Sequence, residues 1–497
     1  MGRVRFSRSP RARLAQLVVA GVVASAGVLA FGAGSAFANG SYACTGVAAI
    51  DTPGLQGDIN TGGTVTVFGP KPCVGNWTVP VSVTIVGGSP GATLNGNATG
   101  SVLTTAATVT LTVRNLKITN GAAADGAGVF DNFCGSVVNL QNALVTGNTA
   151  SVDGGGVEVD CGTLNATAST ISNNTADHGG GIYVDGCGAT INVTNSTVAN
   201  NTAVFNGGGI DVFCSTVNLT GATFSHNTVT DGSGGGLDVL DGSTLIATAS
   251  SIISNTASGD GGGINANDSF VTLTSTSLNW NTAAFYGGGI EFGDPFGCTI
   301  CAPTNAAAPA AAHGPQPSTA RPQHHAAVVR PQLPVVVFEG LDLESSTVEH
   351  NTAQSGAGGG IDNYACESDS PVVINNSTVA FNRATGSELD TDSGGGGYAQ
   401  YGTDCGGPTT ASLVATNSQF GGNTANSSVG GGIFNYGDGA NTTLQPGSHV
   451  IHNQAFVNGG GVFNDCEATL TVVPGAIIAF NTPNQVFTNP GPCLLDD

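Results

Sequence analysis

The chain repeats itself. "NTADHGGGIYVD" begins at Asn174, "NTAVFNGGGIDV" at Asn201 and "NTASGDGGGINAN" at Asn255. Related segments begin at Asn148, Asn227, Asn281, Asn351, Asn423 and Asn453, and from Asn148 to Asn281 the steps are 26, 27, 26, 28 and 26 residues. Self-similarity at this period restricts the fold to a stack of like units, each unable to bury its apolar face without its neighbours.

Within a unit, apolar residues alternate in three short runs. One unit reads Ile182/Val184, Ile191/Val193 and Val198; the next reads Ile210/Val212, Val217/Leu219 and Phe224. Alternation puts one face of a strand inward and the other outward. No segment shows a helical period. The pattern predicts an all-β chain: a parallel β-helix with three strands per coil and roughly twelve or thirteen coils, on the order of 60 Å long at a spacing of about 4.8 Å. Leucine-rich repeats would need a different Leu spacing, and a propeller longer units. The chain has 77 glycines but no Gly-X-Y period, which excludes collagen. Stacking identical residues gives interior ladders of Ile, Val and Leu. The repeat Asn is expected to form an amide ladder in the turn, and the glycines to supply a sharp bend.

The N-terminus reads as an export signal. Arg3, Arg5, Arg8, Arg11 and Arg13 precede the apolar run Leu17 to Phe31, and Ala36-Phe37-Ala38 fits a cleavage site. Residues 1–38 are therefore expected to be a signal peptide, giving a secreted or envelope-surface protein. Removing them takes five of the 11 basic residues and none of the 33 acidic ones, so the formal charge moves from −22 to roughly −27. That charge, with only six basic residues left to contact phosphates, speaks against nucleic acid as a partner, and anionic polysaccharide is a poor partner for the same reason. An extracellular ligand such as a neutral glycan, or a cation, remains open. No second long apolar run suggests a membrane-spanning domain, and a monomer is expected.

The GGGI motif followed by an apolar-x-x-Asn tetrad, as in Phe224-Ser225-His226-Asn227, resembles the GGAI and FxxN repeats of polymorphic outer-membrane proteins. The leading stretches "VSVTIVGGSPGATLNGNATG" and "TVTLTVRNLKITNG" are similar to the first coils of secreted β-helix proteins of the pectin-lyase-like superfamily. The resemblance spans about residues 80 to 485. It implies a right-handed β-helix at the cell exterior. The chain departs from the family in reading GGG for GGA, and its repeats run almost to the end, leaving no room for a C-terminal barrel.

The resulting organisation is a signal peptide (1–38), an N-terminal cap with irregular leading coils (39–118), regular coils (119–297), an Ala/Pro-rich inserted loop (298–334), and further coils with a C-terminal cap (335–497). The insertion follows from the 70-residue step between Asn281 and Asn351. A smaller insertion lies near Ala384 to Gly397. The 12 cysteines all fall in the exported part. Cys134, Cys161, Cys187 and Cys214 step by 27, 26 and 27 residues and should share one corner, where pairing Cys134–Cys161 and Cys187–Cys214 uses all four. Cys366–Cys405 is expected to staple later coils, Cys44–Cys73 and Cys466–Cys493 to tie the ends, and Cys298 and Cys301 to pair locally. A zinc site at "CTIC" lacks a second ligand pair.

The outward position after the glycines reads Glu158, Tyr183, Asp211, Asp238, Asn265, Glu291 and Asp362, with Asp160 and Asp185 on the same face. Stacked neighbours Asp211 and Asp238 are candidate calcium ligands; no other cofactor is indicated. Because similar residues recur in every coil, the stripe reads as a solvated face, and no residue is assigned a catalytic role. His178 reads as filler in a variable turn. Outer threonines such as those of "NATAST" form no regular T-x-T row, which weighs against ice binding. Two functions stay open: a non-enzymatic surface protein used for adhesion, coating or ligand display, and a secreted carbohydrate-active enzyme, a lyase or hydrolase, working through the outer carboxylates.

Overall fold

The computed structural model describes residues 39–88, 91–294, 340–365, 369–386, 394–402 and 410–489. The expected signal segment, the Ala/Pro-rich insertion with Cys298 and Cys301, and Cys366, Cys405 and Cys493 lie outside them. The described chain is a parallel β-solenoid of four sheets holding 15, 14, 14 and 11 strands.

One coil shows the plan. Thr163–Thr167 belongs to sheet A, Thr170–Ser172 to sheet B and Ile182–Val184 to sheet C. Between B and C, Thr175–His178 forms part of a fourth sheet, D. The chain then enters sheet A again at Thr190–Thr194. Sheet D is the element added to the three strands anticipated per coil, and the stack has about 14 turns. In most coils a sheet D strand is only two residues, such as Thr256–Ala257, too short to show alternation on its own.

Every pairing between the named strands is parallel and joins a strand to its counterpart one coil away, as in Ile182↔Ile210 and Ile210↔Leu237. Inward residues therefore stack on their own kind. Leu164, Ile191, Val217 and Leu245 line the core from sheet A, and each is at most 1% exposed. Burial of this depth stabilises by about 1.5–3 kcal/mol per side chain.

The anticipated amide ladder runs along the corner between sheets B and D. Asn174 Nδ2 donates to Asn201 Oδ1 at 3.1 Å, Asn201 Nδ2 to Asn227 Oδ1 at 3.0 Å, and Asn227 Nδ2 to Asn255 Oδ1 at 3.0 Å. Each side chain also accepts the main-chain N–H of the preceding ladder residue and donates to an inner carbonyl, as Asn201 does to Ile171 O at 3.0 Å. The ladder satisfies polar groups at a buried corner where water does not reach. It continues to Asn481, through Asn382, whose repeat the sequence motif alone does not display.

The three glycines have separate reasons. Gly207 sits at φ 58, in the left-handed region. Gly208 and Gly209 are places of close approach: a Cβ there would lie 2.5 Å from Gly235 O and 2.4 Å from Gly236 O of the next coil. The third position thus has no room for the alanine of the GGA form.

The N-terminal end of the stack is closed by the helix Ala48–Thr61, which the sequence pattern did not show. Its own Leu55 and Ile59 are fully buried. Its Asp51 accepts from the main-chain N–H groups of Thr45 (2.9 Å), Gly46 (2.9 Å) and Val74 (3.0 Å) and from the Thr45 hydroxyl (2.8 Å). Burial alone would raise its pKa, but these bonds outweigh it and hold the carboxyl below its ordinary value. Disulfides join Cys44 to Cys73, Cys134 to Cys161 and Cys187 to Cys214, with Cα–Cα distances of 4.5, 4.5 and 4.6 Å. Cys466 is also disulfide-bonded.

Candidate functional site: a buried acidic stripe and an exposed aromatic column

Of the carboxylates expected on a solvated face, Glu158, Asp211, Asp238, Glu291 and Asp362 are instead buried, and Asp160 and Asp185 are half-buried. Asp211 and Asp238 are register partners in adjacent coils, and they are 0% and 1% exposed; Glu158 is 5% exposed. They do point away from the main core. The glycine turn covers them: a Cβ on Gly207 would sit 2.5 Å from the Asp211 Cβ, so the chain passes directly over the side chain. Alternation sets the direction of a side chain but not what the following turn places on top of it.

The cover carries a histidine. Asp153 and His178 are paired in sheet D, and His178 Nδ1 lies 3.5 Å from Asp211 Oδ2. The imidazole also faces the Phe205 ring at 5.4 Å and Tyr183 at 6.4 Å. His178 is therefore part of the acidic layer, not loop filler. Sequence adjacency to Asp177 gave no hint of this; the register that sets it over Asp211 appears only in the fold.

Burial dominates the electrostatics. Glu158 is pushed up to about 10 by burial, with Asp160, Asp125 and Asp153 adding like charge. Asp153 and Asp160 are each raised to about 7, chiefly by burial, although His178 opposes the shift at Asp153. Asp211 is raised by burial despite His178, and Asp238 lies well above the usual range for the same first cause, with Asp211 adding to it. At His178, burial works against the charged form, but Asp211 and Asp153 prevail and raise its pKa. A layer of this kind holds protons that an exposed acidic face would release. No described group of three or more His, Cys, Asp or Glu side chains is arranged to hold a metal ion.

Along the stack this layer changes character. The position occupied by Asp211 and Asp238 becomes Ala399, Phe434 and Phe463 in later coils. Phe434 and Phe463 stack at 5.4 Å, and Phe463 and Phe487 at 5.7 Å. Inside the same coils Gln400, Asn435 and Asn464 replace the inward aliphatic residues, as Asn363 already does one coil earlier beside Asp362, and Gln400 Nε2 donates to Thr442 Oγ1 at 3.1 Å.

The exposed counterpart lies at the residue before each ladder Asn. Its φ is left-handed in coil after coil: 55° at Asn173, 55° at Asn200, 62° at Trp280, 58° at His350, 54° at Phe381 and 59° at Phe480. Asn adopts this conformation readily; a bulky aromatic does so at a cost of about 1–3 kcal/mol. Yet the later coils place aromatics there, and Trp280, Phe381 and Phe480 are 57%, 58% and 73% exposed. Trp280 stacks on His350 at 4.2 Å, His350 on Phe381 at 5.1 Å, and His452 on Phe480 at 5.2 Å. Gly422 falls between the two stacks, and a Cβ on it would meet the Phe381 ring at 2.7 Å.

An open depression near the N-terminal end is lined by Gly87, Gly91, Leu116, Lys117 and Asn142 among others, with no carboxylate or histidine. No described helix is long and apolar enough to cross a membrane. No family model, curated protein or solved structure matches the chain.

Proposed function

We propose that the protein is a non-enzymatic β-solenoid of the cell exterior that binds an extracellular surface through its aromatic column. The observation that carries this reading is the set of Trp280, Phe381 and Phe480: large rings, mostly exposed, on backbone positions that disfavour them. Folding gains little from such residues, since their apolar area stays in water. Strain concentrated at exposed aromatics is the signature of a contact surface.

The ligand best suited to it is a neutral glycan, whose C–H faces pack on aromatic rings without meeting the repulsion that this acidic chain imposes on anions. Disulfides between coils accord with an oxidising exterior. The alternative, a lyase or hydrolase acting through the stripe of Asp211 and Asp238, fares less well, because those carboxylates lie under the glycine turns where a sugar cannot reach them.

The test pairs a glycan array with a reducing-sugar assay. Binding without depolymerisation is expected, with Trp280→Ala and Phe381→Ala losing most of it. Glycan cleavage abolished by Asp211→Asn would sink the reading in favour of the enzyme.

A further inference from the structure

The outer face of sheet A bears a second pattern, independent of the aromatic column. The strands Thr163–Thr167, Thr190–Thr194 and Thr216–Thr220 read TLNAT, TINVT and TVNLT. Leu164, Ile191 and Val217 face the core, so each strand turns Thr, Asn and Thr outward. Parallel pairing without a register shift stacks them: Thr190 lies beside Thr216, Asn192 beside Asn218 and Thr194 beside Thr220. The result is a two-dimensional lattice, about 4.8 Å between coils and about 6.6 Å between alternate residues of a strand.

Three properties set this lattice apart from ordinary surface. First, it is uncharged. From Val137 to Thr274 no outward residue of sheet A bears a charge, whereas Arg114 bounds the region on one side and Asp342 and Glu344 on the other. On a chain of formal charge −22 that is a marked exclusion. Second, it is rigid. Asn165 donates to Asn139 at 2.9 Å, Asn192 to Asn165 at 2.8 Å and Asn218 to Asn192 at 3.0 Å, which fixes the central row, while threonine has few χ1 choices. Third, each of the three strands offers the same short side chains in the same order, and none of them lines the depression near the N-terminal end, so the face repeats a weak contact and does not build one deep site.

A rigid, neutral, periodic array gains affinity only from a partner that repeats on the same scale, because then many weak contacts add without further ordering cost. We propose that this face of sheet A binds ice. The prism planes of hexagonal ice repeat their oxygens on a scale comparable with both spacings. Threonine offers a hydroxyl to the water lattice and a methyl group beside it, and neither disturbs the surrounding water as a charge would. A crystalline polysaccharide is also periodic, but its sugar rings seek aromatic platforms, and the three Thr-x-Asn-x-Thr strands have none. The absence of a T-x-T pattern in the sequence is thus answered by a wider Thr-x-Asn-x-Thr pattern, visible once the strands are registered.

The test is incorporation of the purified protein into a slowly growing ice hemisphere, with recrystallisation inhibition as a second readout. The protein is expected to enter the ice and to keep crystals small at micromolar concentration. Thr194→Lys with Thr220→Lys should reduce the effect by about ten-fold or more, by lifting the lattice off the surface. Thr175→Lys with Thr256→Lys, on sheet D, should leave it intact, and unchanged far-ultraviolet circular dichroism shows that either variant is folded. Exclusion from ice, or equal activity of the sheet A variant, overturns the proposal. So does adsorption to microcrystalline cellulose or chitin without ice activity. Trp280→Ala serves to separate the two surfaces: it should lower glycan binding and leave ice activity unchanged.

Discussion

Asn201 offers a measurable account of what holds the coils in register. Its side chain is fully buried and makes four hydrogen bonds. It accepts from Asn174 N (3.0 Å) and Asn174 Nδ2 (3.1 Å), and donates to Ile171 O and Asn227 Oδ1 (both 3.0 Å). Replacement by alanine removes all four. Two of the partners keep another bond, since Asn174 Nδ2 still donates to Val145 O and Asn227 Oδ1 still accepts from Asn201 N. The Asn174 main-chain N–H is left with nothing at a corner closed to water, and Ile171 O loses one donor. An orphaned buried group costs about 1–3 kcal/mol, so Asn201→Ala should destabilise by about 2–4 kcal/mol with the small void included. Asn192 is the control. It belongs to the half-exposed ladder on sheet A, where water can replace the amide, and Asn192→Ala should cost about 0.5 kcal/mol or less. Denaturant melts give the two values. Hydrogen exchange adds location, because coupling in a stacked repeat is between neighbours: the coils of Asn174 and Asn227 should open first. Equal losses for the two variants would refute the reasoning. Asn201→Asp adds a signed check. It sets an oxygen against two acceptors, so it should be worse than alanine at pH 7 and recover as the acid is protonated.

Other consequences can be checked. Stability should fall as pH rises from about 4. Glu158, Asp153 and Asp160 are raised in the fold above their ordinary values of 4.5, 3.8 and 3.8, so the folded state holds protons that the unfolded state has released. The slope is on the order of 1.4 kcal/mol per pH unit for each such group, less for the partly exposed Asp160, over a window reaching about 7 for the aspartates and about 10 for Glu158. Glu158→Gln should flatten the alkaline part; an unchanged profile would count against burial as the cause. His178 contributes in the same direction, since its raised pKa gives stability that is present at low pH and lost as pH rises through the folded value. Asp51 has the opposite sign: its lowered pKa gives stability that fades as pH falls through the folded value, and Asp51→Asn should remove that acid sensitivity at the cost of a looser N-terminal cap. Gly209→Ala should cost about 1–3 kcal/mol in a thermal melt, because its Cβ would press on Gly236 O. Serine in place of both Cys187 and Cys214 should lower stability by about 2–4 kcal/mol, the range for a loop of 27 residues.

The features legible in the sequence were those that repeat and act coil on coil. Asn174, Asn201 and Asn227 recur at one step and stack in one ladder; Ile182, Ile210 and Leu237 recur and share one interior column. What escaped depended on three-dimensional covering. Asp211 alternates outward, but the turn at Gly207 folds back across it, and no periodicity reports that. His178 sits in a spacer of variable length, so only its pairing with Asp153 locates it. The helix Ala48–Thr61 contains Pro53, Gly54 and Gly57 and buries only a narrow line of Asp51, Leu55 and Ile59, which leaves little helical period to read. The Thr and Asn rows of sheet A were present as residues, yet spread over three outward positions per strand. Their order became apparent only with the pairing register.

The Asn corner also shows how this protein keeps count. Asn255 reaches Asn281 across 26 residues, Asn281 reaches Asn351 across 70, and Asn382 reaches Asn423 across 41, yet the amide bonds measure 3.0, 3.0 and 3.1 Å. Position in the stack is specified laterally, by the neighbour a residue can bond, and distance along the chain hardly enters. Doubling an excursion adds only about 0.6 kcal/mol of closure entropy. The solenoid is in that sense a filing system with fixed slots and free-length folders: segments can be lengthened, exchanged or grafted between Asp294 and Gly340 while the surfaces on either side keep their spacing.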